Sequence, residues 1–166
     1  MNTQSRNVLA GLAAAGDDAQ LIIIEDDDWY APSWLEVCAA ALARAELVGE
    51  SHARYYNVAQ RRARQLDNQY HASLCSTALR GEALNTLKRA CHGSPDFIDI
   101  ALWRDHRNKL LFRGSGVVGI KGLPGRPGIG VGHSPKFGGE PDEQRKILRS
   151  WIGADVAAYF PTENPE

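Results

Sequence analysis

The sequence has no apolar run long enough to span a membrane, and it has only three cysteines among its 166 residues. We therefore do not expect a membrane-spanning protein. The cysteines (Cys38, Cys75 and Cys91) are odd in number and widely spaced, which favours buried thiols in a reducing compartment over a disulfide framework or a zinc site. The first residues, Met-Asn-Thr-Gln-Ser-Arg, lack the apolar core of a signal peptide. We predict a cytoplasmic protein without a transmembrane segment.

An excess of charge of either sign is also missing. Lys and Arg together number 19 and Asp and Glu number 20, which gives a net charge of -1. Such a balance provides no broad attraction for nucleic acid, so no nucleic-acid partner is predicted. The hydrophobic fraction of 43% and the length suit one globular domain with a real core. We place this domain at residues 1–160 and predict a frayed tail at 161–166.

What the sequence does contain is a run of acids directly after an apolar segment. Leu21–Ile24 is branched and does not alternate with polar residues, which predicts a strand buried on both faces. The four carboxylates of Glu25–Asp28 must then lie at the carboxyl edge of the sheet, where open α/β sheets bind ligands. Because neighbouring carboxylates raise each other's pKa, a divalent cation such as Mg2+ or Mn2+ relieves their repulsion. The alternative is a solvated acidic loop, or acids that favour a helix start.

A glycine-rich segment, residues 119–133, is the second feature that indicates a ligand. Its glycines allow the backbone to approach a ligand closely, and Lys121 and Arg126 supply cations suited to phosphate. His133 ends the segment as a candidate metal ligand or phosphate donor. The pattern is neither a P-loop nor a dinucleotide-binding fingerprint, so a Gly/Pro loop with an exposed histidine stays open as the alternative.

Hydrophobic periodicity predicts an α/β protein with a small mixed sheet. The sequence favours helices over residues 3–15, 33–45, 79–91, 95–107 and 141–152, strands over 20–25, 46–49 and 54–59, an irregular segment over 60–73, and a hairpin of 110–112 with 117–120. A buried strand of a parallel sheet needs neighbours on both sides, and the later strands are short. Either the chain is the C-terminal part of a larger fold, or a partner chain or second copy completes the sheet.

The order Arg6-Asn7, then Leu-Ile-Ile-Ile-Glu-Asp-Asp-Asp-Trp-Tyr, resembles the middle of a GT-A glycosyltransferase of the family 2 type. The resemblance implies a three-layer α/β fold in which an Asp-x-Asp motif binds a divalent metal and the diphosphate of a nucleotide sugar. Glu25 and Asp27 fall on the two acids of that motif, with Asp26 and Asp28 as the other possible register. The family's first strands, which hold the nucleoside, have no counterpart here, so the resemblance implies a partial GT-A fold.

The resemblance also implies roles for residues outside the motif. His133 matches a late histidine that adds a metal ligand in several GT-A enzymes, which gives Glu25, Asp27 and His133 as the metal set. The residues expected to contact the donor are Arg6, Asn7, Glu25, Asp26, Lys121 and Arg126.

An inverting transferase also needs a carboxylate that takes the proton of the acceptor hydroxyl. In the family this acid lies at the start of a helix beyond the motif, where Asp96 and Asp99 stand in this sequence. An acid in the first turn of a helix is also common for its interaction with the helix dipole alone. Phe97 and Trp103 are either an aromatic platform for a sugar or core residues.

The predicted function is that of a glycosyltransferase, or its C-terminal portion, which uses Mn2+ or Mg2+ to transfer a sugar from a nucleotide-sugar donor to a carbohydrate or other hydroxyl acceptor. One alternative is a degenerate, non-catalytic remnant that serves as an interaction module. Another is a metal-dependent phosphoesterase, although such sites usually gather acids from several strands around two metals.

Overall fold

The computed structural model describes residues 2–16, 18–94, 96–126, 131–134 and 136–160. The predicted tail at 161–166, Pro95 at the predicted start of a helix, and residues 127–130 of the glycine-rich segment lie outside the described residues. The helices are α1 (Thr3–Ala15), α2 (Trp34–Leu42), α3 (Glu82–Gly93), α4 (Ile98–Asp105), α5 (Lys146–Ile152) and α6 (Val156–Tyr159). The strands are β1 (Leu21–Ile22), β2 (Trp29–Tyr30), β3 (Leu47–Glu50), β4 (His52–Asn57), β5 (Arg62–Asp67), β6 (Thr77–Leu79), β7 (Lys109–Phe112), β8 (Val117–Lys121) and β9 (Glu140–Pro141).

The strands form two mixed sheets, where the sequence predicted one. The first sheet has the order β1-β6-β3-β7, in which β6 is antiparallel to both of its neighbours and β3 is parallel to β7. The second sheet has the order β2-β8-β4-β5-β9, in which only β8 and β4 are parallel. The α/β class is therefore confirmed.

Helices cover both faces of the first sheet. On one face Leu47 and Leu79 pack with apolar side chains of α1, α3 and α4. On the other face Val48 and Ala78 pack with α2. Successive strand residues point to opposite faces, so neighbouring apolar positions enter two different cores. This explains why apolar residues are adjacent in β3 (Leu47, Val48) and β6 (Ala78, Leu79) instead of alternating with polar ones.

Leu21–Ile24 was predicted to form a strand buried on both faces. A strand forms there and faces two cores, but it is limited to Leu21–Ile22 and is only partly buried. Leu21 packs against the core that contains α3, and Ile22 packs against the core that contains α2. Both side chains stay partly exposed, and Ile24 is 53% exposed. Strand β1 pairs only with β6, through Leu21 and Ile22, so it forms an edge of the first sheet within the described part of the chain. Completion of this sheet by a partner chain or second copy stays a prediction.

The predicted hairpin of 110–112 with 117–120 is wrong, because its two strands belong to different sheets. Strand β7 pairs in parallel with β3, and β8 pairs in parallel with β4. Only Ser51 separates β3 from β4, and four residues separate β7 from β8. The parallel pair β3–β7 of the first sheet therefore continues along both chain segments as the parallel pair β4–β8 of the second sheet. Long-range parallel pairing therefore replaces the local turn that was predicted between the two strands.

The segment at 60–73 was predicted to be irregular, but Arg62–Asp67 forms β5 and pairs with β4 along six residues each. The connection is closed by Asn57, whose Oδ1 accepts a hydrogen bond of 2.9 Å from the backbone N–H of Gln60. Strand β6 ends at Leu79, the first residue of the helix predicted for 79–91, and the observed helix α3 begins at Glu82. Helix α1 matches its prediction, and Asn2 Oδ1 caps it by accepting from Ser5 N–H at 2.9 Å.

The second sheet is covered by helices on one face. Tyr56, Ala63, Val118 and Ile120 pack with α5 and α6. By strand alternation Tyr55, Arg64 and Lys121 point to the opposite face. That face lines a cavity that also contains Glu25 and Asp27.

Candidate functional site

The acids follow β1 in a short loop that backbone hydrogen bonds fold back on itself. Ile23 N–H donates to Thr77 O at 3.1 Å, and Asp28 N–H donates to Glu25 O at 3.2 Å. The hydroxyl of Tyr30 accepts from Glu25 N–H at 2.9 Å and donates to the carbonyl of Cys75 at 3.2 Å. The loop is therefore held at both ends, and Tyr30 of β2 ties it to the 3-10 turn Leu74–Ser76 that precedes β6.

This loop brings three carboxylates together. Glu25, Asp27 and Asp28 each offer one oxygen, and these oxygens lie within 4.8 Å of one another. We call these residues the acid triad. Two of its members, Glu25 and Asp27, were predicted as metal ligands, while the third is Asp28 in place of His133. Since oxygens at this spacing can share one hard cation, the triad fits Mg2+ or Mn2+ in donor type.

Asp28 is the buried member of the triad, and its side chain is 0% exposed. Its Oδ1 accepts hydrogen bonds from Ile120 N–H at 2.8 Å and from Lys121 Nζ at 3.2 Å. Its Oδ2 is also buried and has no hydrogen-bond partner among the described residues. A buried oxygen without a partner is costly, and a cation shared with Glu25 and Asp27 would satisfy it.

The electrostatics of the triad are those of a crowded anionic site. Burial raises the pKa of Asp28 to about 6, with Lys121 opposing this shift and Glu25 adding to it. Burial lowers the pKa of Lys121, but the charges of Asp28 and Glu25 outweigh burial and raise it. Burial raises the pKa of the Cys75 thiol, and the charges of Asp28 and Glu25 raise it further. Cys75 is therefore a neutral thiol beside the triad.

Lys121 ends β8 and reaches into the triad. Its Nζ lies 3.5 Å from Glu25 Oε2 and 3.2 Å from Asp28 Oδ1, and its side chain is only 11% exposed. Lys121, which was predicted as a contact to the donor phosphate, thus forms a direct ion pair with two of the triad residues.

His133 lies in a short 3-10 turn, Val131–His133, next to the triad. Asn57 holds this turn by donating from Nδ2 to the carbonyl of Gly132 at 3.0 Å. Burial and Lys121 lower the pKa of His133, while Asp27 and Glu25 oppose that shift. A lowered pKa favours the neutral imidazole, which is the form that binds metals. His133 does not join the three mutually close oxygens, but it lines the same cavity as Glu25 and Asp27.

That cavity has a volume of about 510 Å³, which is in the range of small-molecule sites. Tyr55 lies on its floor, with its hydroxyl hydrogen-bonded to Ser73 Oγ. Gly119 pairs with Tyr55, and a Cβ at Gly119 would lie 2.6 Å from the Tyr55 ring, so only glycine leaves room for this ring. The lining also includes Arg64, Leu66, Leu74, Phe97, Ile98, Ile100 and Phe137.

Asp96 and Asp99, the predicted bases, line this cavity from the start of α4. Asp99 Oδ1 accepts from Ile100 N–H at 2.8 Å, and Asp96 Oδ1 accepts from Asn2 Nδ2 at 3.4 Å. Between them Phe97 is 63% exposed and faces the cavity, whereas Trp103 is 1% exposed and belongs to the core. Phe97 is thus available as a platform, and Trp103 is not.

Other predicted residues lie apart from the cavity. Arg6 and Asn7 are exposed on α1, and neither lines the cavity. The side chain of Asp26 is 88% exposed and pairs with Arg126, which is 52% exposed, at 2.9 Å. Within the acid run, Asp26 thus points to solvent, while its two neighbours, Glu25 and Asp27, join the triad.

Sequence reasoning named Asp28 only in the other register of the motif, without predicting its burial, and did not name Tyr55. The burial of Asp28 depends on the pairing of β2 with β8, which brings the N–H of Ile120 to its carboxylate. No local pattern signals that pairing. For Tyr55 a signal existed: it alternates with the core residue Tyr56 in a strand, which places one of the two on the opposite face.

No family model, curated protein sequence or solved structure matches the chain. The described residues include no helix that is long and apolar enough to cross a membrane. All three cysteines are buried free thiols, as predicted.

Proposed function

We propose that the chain is a metal-dependent glycosyltransferase of GT-A type, or its C-terminal portion, which transfers a sugar from a nucleotide-sugar donor to a hydroxyl acceptor. One observation carries this proposal: Glu25 and Asp27 of the acid triad share a single cavity with Lys121, His133, Asp96 and Asp99. Such a transfer requires a metal site, a phosphate-binding cation and a general base, and residues of the types that could supply them line the same cavity.

The acid triad, with His133 beside it, would hold Mn2+ or Mg2+, and the ion would neutralise the diphosphate leaving group. The Lys121 ammonium would donate to the phosphate oxygens and stabilise the charge that develops there. Asp99 or Asp96 would accept the proton of the acceptor hydroxyl as its oxygen attacks the sugar. Phe97 would present an apolar face to the acceptor, and the hydroxyls of Tyr55 and Ser73 would orient polar groups of the bound sugar.

A second candidate function is that of a metal-free interaction module that keeps the fold and has lost catalysis. The observation that favours it is the ion pair of Lys121 with Glu25 and Asp28, which neutralises part of the acid triad without any metal. In that case the acids and Lys121 form a buried polar network of structural value only.

The test is a thermal-shift titration with Mn2+ of the unmodified protein, Asp27→Asn and Asp26→Asn. The two aspartates are neighbours with very different surroundings, so Asp26→Asn is a matched control. We expect Mn2+ to raise Tm of the unmodified protein and the control, and to leave Asp27→Asn unchanged, because a ligand stabilises only the state that binds it. Equal curves for all three proteins would count against the metal site.

Isothermal titration with UDP and with GDP, each with Mn2+, then separates the two candidate functions. A transferase should release or absorb heat with one of the nucleotides, and an interaction module should give none. Release of free sugar from a nucleotide sugar in the presence of Mn2+ would extend the result to chemistry. Hydrolysis of a generic phosphate ester without a sugar would instead favour the phosphoesterase.

A further inference from the structure

Lys121 occupies an unusual position for a cation at a metal site, because it lies among the candidate ligands themselves. Its ammonium contacts Asp28 Oδ1 at 3.2 Å and Glu25 Oε2 at 3.5 Å. These two residues supply two of the three mutually close carboxylate oxygens. A divalent cation on the acid triad and the ammonium in its present place would therefore compete for the same two carboxylates.

The aliphatic part of the Lys121 side chain is closely packed, whereas its ammonium group can move into the cavity. A Cβ at Gly132 would lie 2.9 Å from Lys121 Cγ, so the turn that carries His133 packs closely on the stem. Lys121 also lines the large cavity, into which its flexible end can turn. A lysine ammonium is a compact charge with rotatable donors, and it suits such a movement better than the fixed fork of an arginine.

The ion pair leaves the triad incompletely satisfied. Three carboxylates face one ammonium, and the buried Asp28 Oδ2 has no hydrogen-bond partner among the described residues. The site thus keeps negative charge and an open oxygen for a cation while Lys121 is in place. Two cations that share the same carboxylates repel each other, so the ammonium and a divalent ion cannot both hold Glu25 and Asp28 at low cost.

We propose that Lys121 occupies the cation position of the ligand-free protein and moves onto the phosphate groups of the donor when the divalent cation binds. The inference rests on the proposed metal site. It adds that binding of the cation and binding of a diphosphate are coupled. Lys121 thereby weakens binding of the metal alone and strengthens binding of the metal together with the diphosphate.

The first experiment measures Mn2+ binding alone by isothermal titration for the unmodified protein, Lys121→Met and Lys121→Arg. Lys88→Met, which removes an exposed lysine on α3, is the control for the loss of one positive charge. We expect Lys121→Met to bind Mn2+ about tenfold more tightly or better, since the competing charge is gone. Lys121→Arg keeps the competing charge and should not show that gain, and Lys88→Met should match the unmodified protein.

The second experiment repeats the titrations with UDP or GDP at saturating Mn2+. Here Lys121→Met should bind the nucleotide at least about tenfold more weakly, because a charge-assisted contact to phosphate is lost. Opposite signs for the metal and the nucleotide distinguish this role from a structural one, because a variant that merely loosens the site would weaken both.

Thermal melts cover the case in which Lys121→Met is too unstable in EDTA for titration. Without Lys121 the triad has no counter-charge, so the variant should melt lower in EDTA and recover more stability from Mn2+ than the unmodified protein does. Unchanged or weaker Mn2+ binding by Lys121→Met, while the unmodified protein binds Mn2+, overturns the role of Lys121 and leaves the proposed function standing. Failure of every variant and of the unmodified protein to bind Mn2+ overturns both.

Discussion

The two sheets of this protein differ in what covers them. The first sheet has helices on both faces, and its central residues Leu47, Val48, Ala78 and Leu79 are all 0% exposed. The second sheet packs on α5 and α6 with one face only, while its other face lines the 510 Å³ cavity. The first sheet therefore serves as a scaffold, and the acid triad lies where its edge strand β1 passes to β2 of the second sheet. The candidate site therefore lies at the face of the second sheet on which α5 and α6 do not pack.

The comparison predicts that the largest loss of stability comes from the doubly covered sheet. Trp103→Ala removes a side chain that is 1% exposed from the core against α3 and should lower the free energy of unfolding by about 3–5 kcal/mol. Phe97, at the start of the same helix, is 63% exposed, so Phe97→Ala should change stability by about 0.5 kcal/mol or less. Urea denaturation measures both values. Similar losses in the free energy of unfolding for the two variants would contradict the distinction between the buried core of the first sheet and the wall of the cavity.

A second prediction concerns the open face of the second sheet. A methyl group at Gly119 would lie 2.6 Å from the ring of Tyr55, so Gly119→Ala must push this ring towards the cavity. We expect a loss of about 1–3 kcal/mol, as for other overpacked sites, together with weaker nucleotide binding. Gly11→Ala is the control, because Gly11 lies within α1 and its Cβ would meet no atom within 4 Å. That variant should gain up to about 1 kcal/mol from helix propensity. A fully stable Gly119→Ala would show that Tyr55 is not held where we describe it.

The junction between the sheets predicts a dependence of stability on pH. Glu50 ends β3, is 1% exposed, and accepts from Gly116 N–H at 2.8 Å. Burial raises its pKa above the ordinary 4.5, although Gly116 and Arg54 oppose the shift. The folded protein thus binds the proton of the Glu50 carboxyl group more tightly than the unfolded chain does. The stability that protonated Glu50 contributes is present below pH 4.5 and is lost as the pH rises through the folded-state pKa.

Glu50→Gln should remove this dependence, because glutamine does not titrate. Denaturation at a series of pH values should show the unmodified protein losing stability relative to Glu50→Gln as the pH rises above 4.5. Glu36→Gln, at an exposed position of α2, serves as the control. A constant difference between Glu50→Gln and the unmodified protein across the series would contradict the assignment.

The smallest effect is expected at the surface. Arg126→Ala breaks an ion pair with Asp26 whose side chains are 52% and 88% exposed. Exposed pairs of this kind contribute about 0–1 kcal/mol, and high salt screens them. We expect a change of about 0.5 kcal/mol or less, and no change in Mn2+ binding by thermal shift. A loss of Mn2+ binding would place Asp26 and Arg126 in the site after all.

Local sequence patterns were sufficient for several parts of this protein. The stripe of apolar residues in 3–15 predicted α1, since a helix is stabilised by contacts three and four residues apart. The apolar run before Glu25 correctly placed the acids just after a strand, because a sheet interior cannot hold unpaired charges. The candidate site residues that lie on the cavity, namely Glu25, Asp27, Asp96, Asp99, Lys121 and His133, were all named from sequence motifs or from the resemblance.

Other features depended on contacts between segments that are far apart in the chain. Whether 110–112 pairs with 117–120 or each joins a different sheet is decided by β3 and β4, more than fifty residues earlier. Asp28 is buried because β2 pairs with β8, and Lys121 reaches Glu25 for the same reason. Motifs therefore identify which chemical groups are present, since this depends on neighbours in the sequence. Which acid is buried, which one points to solvent and which cation lies among them depends on strand pairing, and only the folded chain decides that.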